Sequence, residues 1–231
     1  MNEKENIPQE SKIIFGSSFA FGFLRPETDR LASRQALVSD MNSLGFPVLV
    51  TELVSLTPQT IEYIYVDWWG EPSRDQKLVN YLKTAPVLAF LTRDIFSYVQ
   101  ARQDGKIIEN NYSFKGPERL RWVCGAVGEK TMGAGLRGKY GISTLETAIH
   151  RSDTERDALR ECLVIAPNLI RKILSGNFER FRFDEEIIRS HLRYLGIPEV
   201  SFDEGIFWAT TSAAMQAFLI RNFFYDGHQI G

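Results

Sequence analysis

FPVLVTELVSL, residues 46–56, is rich in β-branched residues and reads as a strand. Upstream, SSFAFGFLR (17–25) is an aromatic-rich run of the same kind, and Pro26 prevents its simple continuation. Between them, RLASRQALVSDMNSLG sets Leu37, Met41 and Leu44 at helical spacing and closes on Gly45, a helix stop. The chain therefore begins β-α-β. Further on, Thr57 and Pro58 read as the N-cap and first-turn proline of a helix through IEYIYVDWW, which Gly70 and Pro72 interrupt. DQKLVNYLKTA is a short amphipathic helix and PVLAFLT (86–92) a compact apolar run of the buried-strand type. IFSYVQARQDG reads as helical, residues 105–115 as an irregular insertion, and GPERLRWVCGAV as a helix with Pro117 in its first turn. GEKTMGAGLRGKYG, residues 128–141, is too glycine-rich for a regular element and is expected to be a loop. An edge strand and a helix from Asp153 to about Leu163 follow. This order predicts an α+β sandwich with helices over one antiparallel sheet.

Beyond Pro167 the chain turns to helical segments, NLIRKILSG, DEEIIRSHLRYLG and DEGIFWATTSAAMQAFLIRNFFYDG. A boundary near residue 166 gives a flexible leader (1–14), a main domain (15–166) and a helical C-terminal extension (167–231). The stretch IFWATTSAAMQAFLIRNFFY is apolar nearly all round, which fits burial against the main domain or between subunits. With 27 basic and 29 acidic residues the net charge is -2, which argues against a surface built to grip nucleic acid or an anionic membrane. Any phosphate chemistry must then be local. Cys124 and Cys162 have no CxxC spacing and read as reduced core thiols, not zinc ligands. MNEKENIPQESK lacks an apolar signal core and no stretch reaches ~18 uninterrupted apolar residues, so a cytoplasmic protein is expected.

Two glycine motifs mislead. GAGLRG (133–138) matches GxGxxG, but no strand precedes it and KYGIST does not continue as a helix in pattern. GEKT resembles the tail of a P-loop, but Glu129 intervenes before Lys130 and no strand feeds it. More informative is AIHRSDTERDALRE (148–161), which holds one of only three histidines. Ser152 and Glu155 form an S-x-x-E capping box, so a helix is expected to start just after His150. The histidine would then lie by free N–H groups and the positive end of a helix dipole, where phosphate is favoured. Glu161 lies roughly two turns along that helix and orients the ring only if the chain folds His150 back over it. Arg121 and Arg137 supply guanidinium groups suited to bidentate phosphate contacts. Taken alone, His150 stays open between a cap and a catalyst. With the two arginines it suits phosphoryl transfer, which needs charge stabilisation and alignment more than acid-base strength. His191 and His228 have no comparable company.

LRGKYG followed closely by AIHRSDTERDALRE resembles the signature of the nucleoside diphosphate kinase family, in which an R-G-D-F-like loop precedes an N-x-x-H-G-S-D segment bearing the phosphorylated histidine. The resemblance spans about residues 15–165 and implies a ferredoxin-like antiparallel sheet sandwich, β-α-β-β-α-β. It implies His150 as nucleophile, Ser152 and Glu161 as its supports, Tyr65 of EYIYVD nearby, and Arg121 and Arg137 as phosphate ligands. Departures are equally specific. Arg25 replaces the lysine of the family's Lys-Pro-Asp, Thr147 its sugar-contacting asparagine, and Arg151 the glycine after the histidine. Its phosphate-contacting threonine falls at Val127, and its base-stacking phenylalanine near Ser73. The family further implies a nucleoside triphosphate donor carrying Mg²⁺, with no metal held by protein side chains, and a homo-oligomer. The acceptor expected here is a nucleotide or a nucleoside-like molecule. A catalytically degenerate nucleotide-binding or scaffold protein of the same fold is the alternative.

Overall fold

The computed structural model describes residues 19–95, 116–125 and 135–180, with the isolated positions Glu186, Met215, Gln216 and Leu219. Its centre is strand β1 (Phe19–Leu24), FAFGFL, every residue of which is buried. Alternation divides these residues between two faces. Phe19, Phe21 and Phe23 enter one apolar cluster, and Ala20 and Leu24 the other. The other strands are β2 (Val48–Val54), β3 (Val87–Arg93) and β4 (Ile149–Arg151). They pair antiparallel in the order β2-β3-β1-β4. That is the expected ferredoxin-like sheet, with helices in place of a tight hairpin between β2 and β3.

Among the described residues the α-helices, in chain order, are α1 (Pro26–Arg30), α2 (Arg34–Ser43), α3 (Pro58–Ile64), α4 (Pro72–Leu82), α5 (Gly116–Cys124), α6 (Gly135–Tyr140), α7 (Glu155–Ile165) and α8 (Pro167–Leu174). Ile61 and Ile64 of α3, Val79 and Leu82 of α4, and Ala158, Leu159, Cys162 and Ile165 of α7 cover the phenylalanine face. Leu37 and Met41 of α2, Leu120 and Cys124 of α5 and Leu136 of α6 cover the other. Just past residue 166, Leu169, Ile170 and Ile173 of α8 are built into the first cluster. Almost all of the expected C-terminal extension beyond residue 180, the leader 1–14, and the segments 96–115 and 126–134 lie outside the described residues.

Local chemistry explains most boundaries. Thr57 Oγ1 accepts from the Thr60 N–H at 3.1 Å and Pro58 opens α3, as expected. Gly45, at φ 84°, supplies the left-handed residue that follows α2. Three expectations need correction. Of the glycine-rich stretch expected as a loop, Gly135–Tyr140 is helix, because Leu136 is buried against α5 and holds the turn. The helix after His150 starts later than the S-x-x-E box implied: its N-cap is Thr154, whose Oγ1 accepts from the Asp157 N–H at 3.1 Å. His150 itself lies within β4 and not at a helix mouth. A further short helix, α1, starts at the proline that ends β1.

Candidate active site

β4 is only three residues long, yet it fixes His150 on three sides. Antiparallel register sets His150 opposite Phe23, and their rings stack with centroids 4.5 Å apart and planes at 19°. Ser152 N–H donates to Phe21 O at 3.0 Å, prolonging the pairing by one bond. The short Ser152–Thr154 turn then reverses the chain into α7 and brings Glu161 back beneath the ring. His150 Nε2 lies 2.9 Å from Glu161 Oε2, and Ser152 Oγ donates to the same oxygen at 2.8 Å. All three residues are buried.

An ionised carboxylate accepts and cannot donate, so Nε2 carries the ring proton and Nδ1 the lone pair. Burial holds the His150 pKa below the ordinary histidine value. Glu161 opposes that effect, while Arg25 and Arg137 add to it. The ring is therefore neutral at neutral pH, and the Nδ1 lone pair is of the kind that can act as a base or a nucleophile. Tyr65, in the cap position after α3, places its OH 3.2 Å from Nδ1, edge-on to the ring. Burial raises the tyrosine's pKa, so it stays a phenol and donates to that lone pair.

Two buried arginines, Arg25 and Arg137, act electrostatically on the ring. Arg25, at the end of β1, donates from Nη2 to Tyr65 OH at 2.8 Å and from Nη1 to Leu145 O at 2.6 Å; its Nε is buried without a partner. Arg137 on α6 reaches Ile149 O at 3.2 Å and Gly125 O at 3.3 Å, tying the outer side of β4 to the end of α5. Burial, joined by the neighbouring Arg151 and Arg25, lowers the Arg137 pKa to about 10. Such crowding of like charge favours a bound anion. Arg121 stands farther out, 65% exposed and 3.9 Å from Asp153. Asp153 also pairs with Arg151, whose Nε is buried and unpartnered. Thr147, three residues before His150, is buried with its hydroxyl likewise unpartnered.

His150, Glu161, Ser152, Tyr65 and Arg25 thus form one hydrogen-bonded chain. Arg137 adjoins it through the backbone of β4, Arg121 lies at its margin, and Thr147 sits in the turn that leads in. Val127 falls outside the described residues. Ser73, near the expected base-stacking position, lies on α4 and bonds Glu71 at 3.4 Å. Sequence reasoning missed Phe23, whose stacking depends on strand register. It also missed Arg160, which lies 3.6 Å from Glu161 Oε1, donates to Tyr63 O at 3.0 Å and packs over the Tyr63 ring. Gly22 was missed too. A Cβ there would lie 2.5 Å from His150 O and 2.7 Å from Phe90 Cζ, so only glycine lets β4 approach β1. Among the described residues no group of three His, Cys, Asp or Glu side chains could hold a metal ion.

No protein-family model matches the sequence. The chain is 26% identical over 148 residues to the nucleoside diphosphate kinase of Streptomyces coelicolor, covering 64% of this chain and 94% of that protein. It is 26% identical over 142 residues to the nucleoside diphosphate kinase of Sulfolobus acidocaldarius, covering 61% of this chain and 84% of the relative. The apo crystal structure of nucleoside diphosphate kinase from Encephalitozoon cuniculi superimposes with a TM-score of 0.51 at 17% identity, over 64% of this chain and 87% of that one. The structural likeness bears on the fold.

Proposed function

We propose that this chain, a divergent nucleoside diphosphate kinase-like protein, moves the terminal phosphate of a nucleoside triphosphate through a phosphohistidine at His150 to a nucleotide or nucleoside-like acceptor. The observation that carries the reading is the division of labour between the two ring nitrogens. Glu161, itself held by Ser152, takes the Nε2 proton in a hydrogen bond, which leaves Nδ1 unprotonated on the side of Tyr65 and, behind it, Arg25. In the first step Nδ1 attacks the γ-phosphorus as the bond to the β-bridging oxygen breaks, and the nucleoside diphosphate leaves. The Nε2–H bond to Glu161 stabilises the positive charge that grows on the ring. In the second step an acceptor oxygen attacks the phosphoimidazole, the P–N bond breaks, and Nδ1 recovers its lone pair; a hydroxyl acceptor gives up its proton to water.

Tyr65 swings its O–H from Nδ1 towards the transferring phosphoryl group, with Arg25 behind it. Arg137 and Arg121 neutralise the phosphate chain. Thr147 faces the sugar, with a hydroxyl where the related kinases carry an amide. Mg²⁺ arrives on the donor as part of the substrate, since magnesium characteristically binds phosphate oxygens and water more than a dedicated protein cage. The altered Arg25 and Thr147 positions support a changed acceptor alongside retained histidine chemistry. We also propose, as the resemblance implies, a cytoplasmic homo-oligomer.

Incubation with γ-labelled ATP or GTP tests the reading. Acid-labile, base-stable label that is lost in His150→Ala is expected, and a chase with diphosphates and then nucleosides identifies the acceptor. Absence of label from every nucleoside triphosphate sinks the enzyme and leaves a nucleotide-binding scaffold.

A further inference from the structure

The residues that lead into His150 are strained. Ile149 N–H donates to Thr147 O at 2.7 Å across Ala148, whose φ is 63°. This is a three-residue turn of the rare γ type, in a backbone region that an alanine seldom adopts. Such a conformation persists only where its surroundings over-determine it. Here both polar groups of Ala148 are held from one corner of the fold, where β1 runs into α1. Arg25 N–H donates to Ala148 O at 2.9 Å, and Ala148 N–H donates to Glu27 Oε1 at 2.6 Å. Glu27 is 1% exposed. It sits in the first turn of α1 just after Pro26, where unpaired helix N–H groups favour a carboxylate. Its other oxygen accepts from the Tyr81 phenol of α4.

We propose that Glu27 is a positioning residue of the His150 site: it clamps the strained Thr147–Ala148–Ile149 turn and couples that turn, through Tyr81, to helix α4. Because β4 spans three residues, strand pairing alone is a short lever, and the turn sets where the ring enters the site. A carboxyl-bearing side chain is needed only as an acceptor, so an amide of the same shape substitutes for it. The kinetic part rests on the phosphotransfer reading, but the geometric part does not.

The test uses the full chain and four variants, Glu27→Ala, Glu27→Gln, Ala148→Gly and the Glu27→Ala/Ala148→Gly double. Two quantities are read: the single-turnover rate of His150 labelling from γ-labelled ATP with Mg²⁺, with its dependence on ATP concentration, and the ¹⁵N signals of the His150 ring. Glu27→Ala is expected to slow labelling about tenfold or more with little change in the ATP concentration giving half the maximal rate. Its ring signals move from the Nε2-protonated form towards the tautomer average. Glu27→Gln recovers most of the rate, because its amide oxygen still accepts from Ala148. Ala148→Gly shrinks the cost of Glu27→Ala, because glycine adopts positive φ without strain. Full-rate labelling with unmoved ring signals in Glu27→Ala overturns the proposal. So does a Glu27→Gln as damaged as the alanine variant, or an equal cost in both backgrounds. If Glu27→Ala does not fold, Tyr81→Phe replaces it: slower labelling and ring signals moved the same way support the coupling, and wild-type values of both overturn it. If the wild-type chain takes no label, the phosphotransfer reading fails by itself and the ring signals alone decide the clamp.

Discussion

Replacing Glu161 by Gln removes one charge and one acceptor oxygen while keeping the side chain's volume. In the native site Oε2 serves two donors, His150 Nε2–H at 2.9 Å and Ser152 O–H at 2.8 Å, and Oε1 faces Arg160 at 3.6 Å. The amide has no comfortable orientation there. With its oxygen towards the histidine, its NH₂ confronts the Arg160 guanidinium. Turned round, it presents a donor to Nε2, drives the ring proton to Nδ1 and abolishes the nucleophile. Hydrogen bonds to a charged partner contribute about 1.5–3 kcal/mol against about 1 kcal/mol for neutral ones, and the His150 bond strengthens as the ring becomes positive. A loss of about 2–3 kcal/mol in the transition state corresponds to a labelling rate lower by roughly 30- to 150-fold. A second signature has the opposite sense. Glu161 favours the protonated ring, so its removal lowers the His150 pKa further and moves the acid limb of the rate profile to lower pH. Rapid-quench labelling from ATP across the acid and neutral range reads both. An unchanged plateau rate, or an acid limb displaced to higher pH, refutes the assignment of Glu161 as the charged support of Nε2.

Gly22→Ala forces a Cβ against His150 O and Phe90, and is expected to lower stability by about 1–3 kcal/mol in urea denaturation and to reduce labelling with it. Arg137→Ala should weaken ATP binding more than it alters fold stability, read by calorimetric titration alongside a thermal melt, because the groups it releases are two backbone carbonyls. Thr57→Ala, at the end of α3 opposite Tyr65, should cost about 1 kcal/mol of stability, read from the urea midpoint. The buried neutral His150 also sets a pH dependence of stability. Its folded pKa lies below the unfolded value, so below about pH 6.5 the unfolded chain binds more protons and stability falls with pH. The acid-induced shift in urea midpoint should therefore be smaller in His150→Gln than in the wild-type chain.

The three long strands were legible because β-branched and aromatic runs bounded by proline and glycine leave little alternative. The helix caps were half legible. Thr57 with Pro58 has one reading, but SDTERD offers both S-x-x-E and T-x-x-D, and a capping pattern cannot rank them. Ser152 has a better use for its hydroxyl, the Glu161 carboxylate, and its N–H is taken by Phe21, so the helix waits for Thr154. The pairing of His150 with Glu161 follows from that delay, since the turn folds the ring over the helix. Phe23 and Gly22 were illegible because antiparallel register belongs to the assembled sheet. Glycine counting also misread Gly135–Tyr140, where one buried leucine outweighs the entropic cost of two glycines.

The two edges of the sheet have been treated differently by the chain itself. At β4 the outward carbonyl of Ile149 accepts from Arg137. At β2 the carbonyls of Leu49 and Thr51 accept from the Glu179 N–H and the Lys172 ammonium, both at 2.8 Å. An uncovered edge strand is a template for another strand. By laying the segment after α8 against β2, the molecule uses part of that template on itself. Shortening the chain to residue 174 would leave Leu49 O without its donor and reopen that part of the edge to another strand.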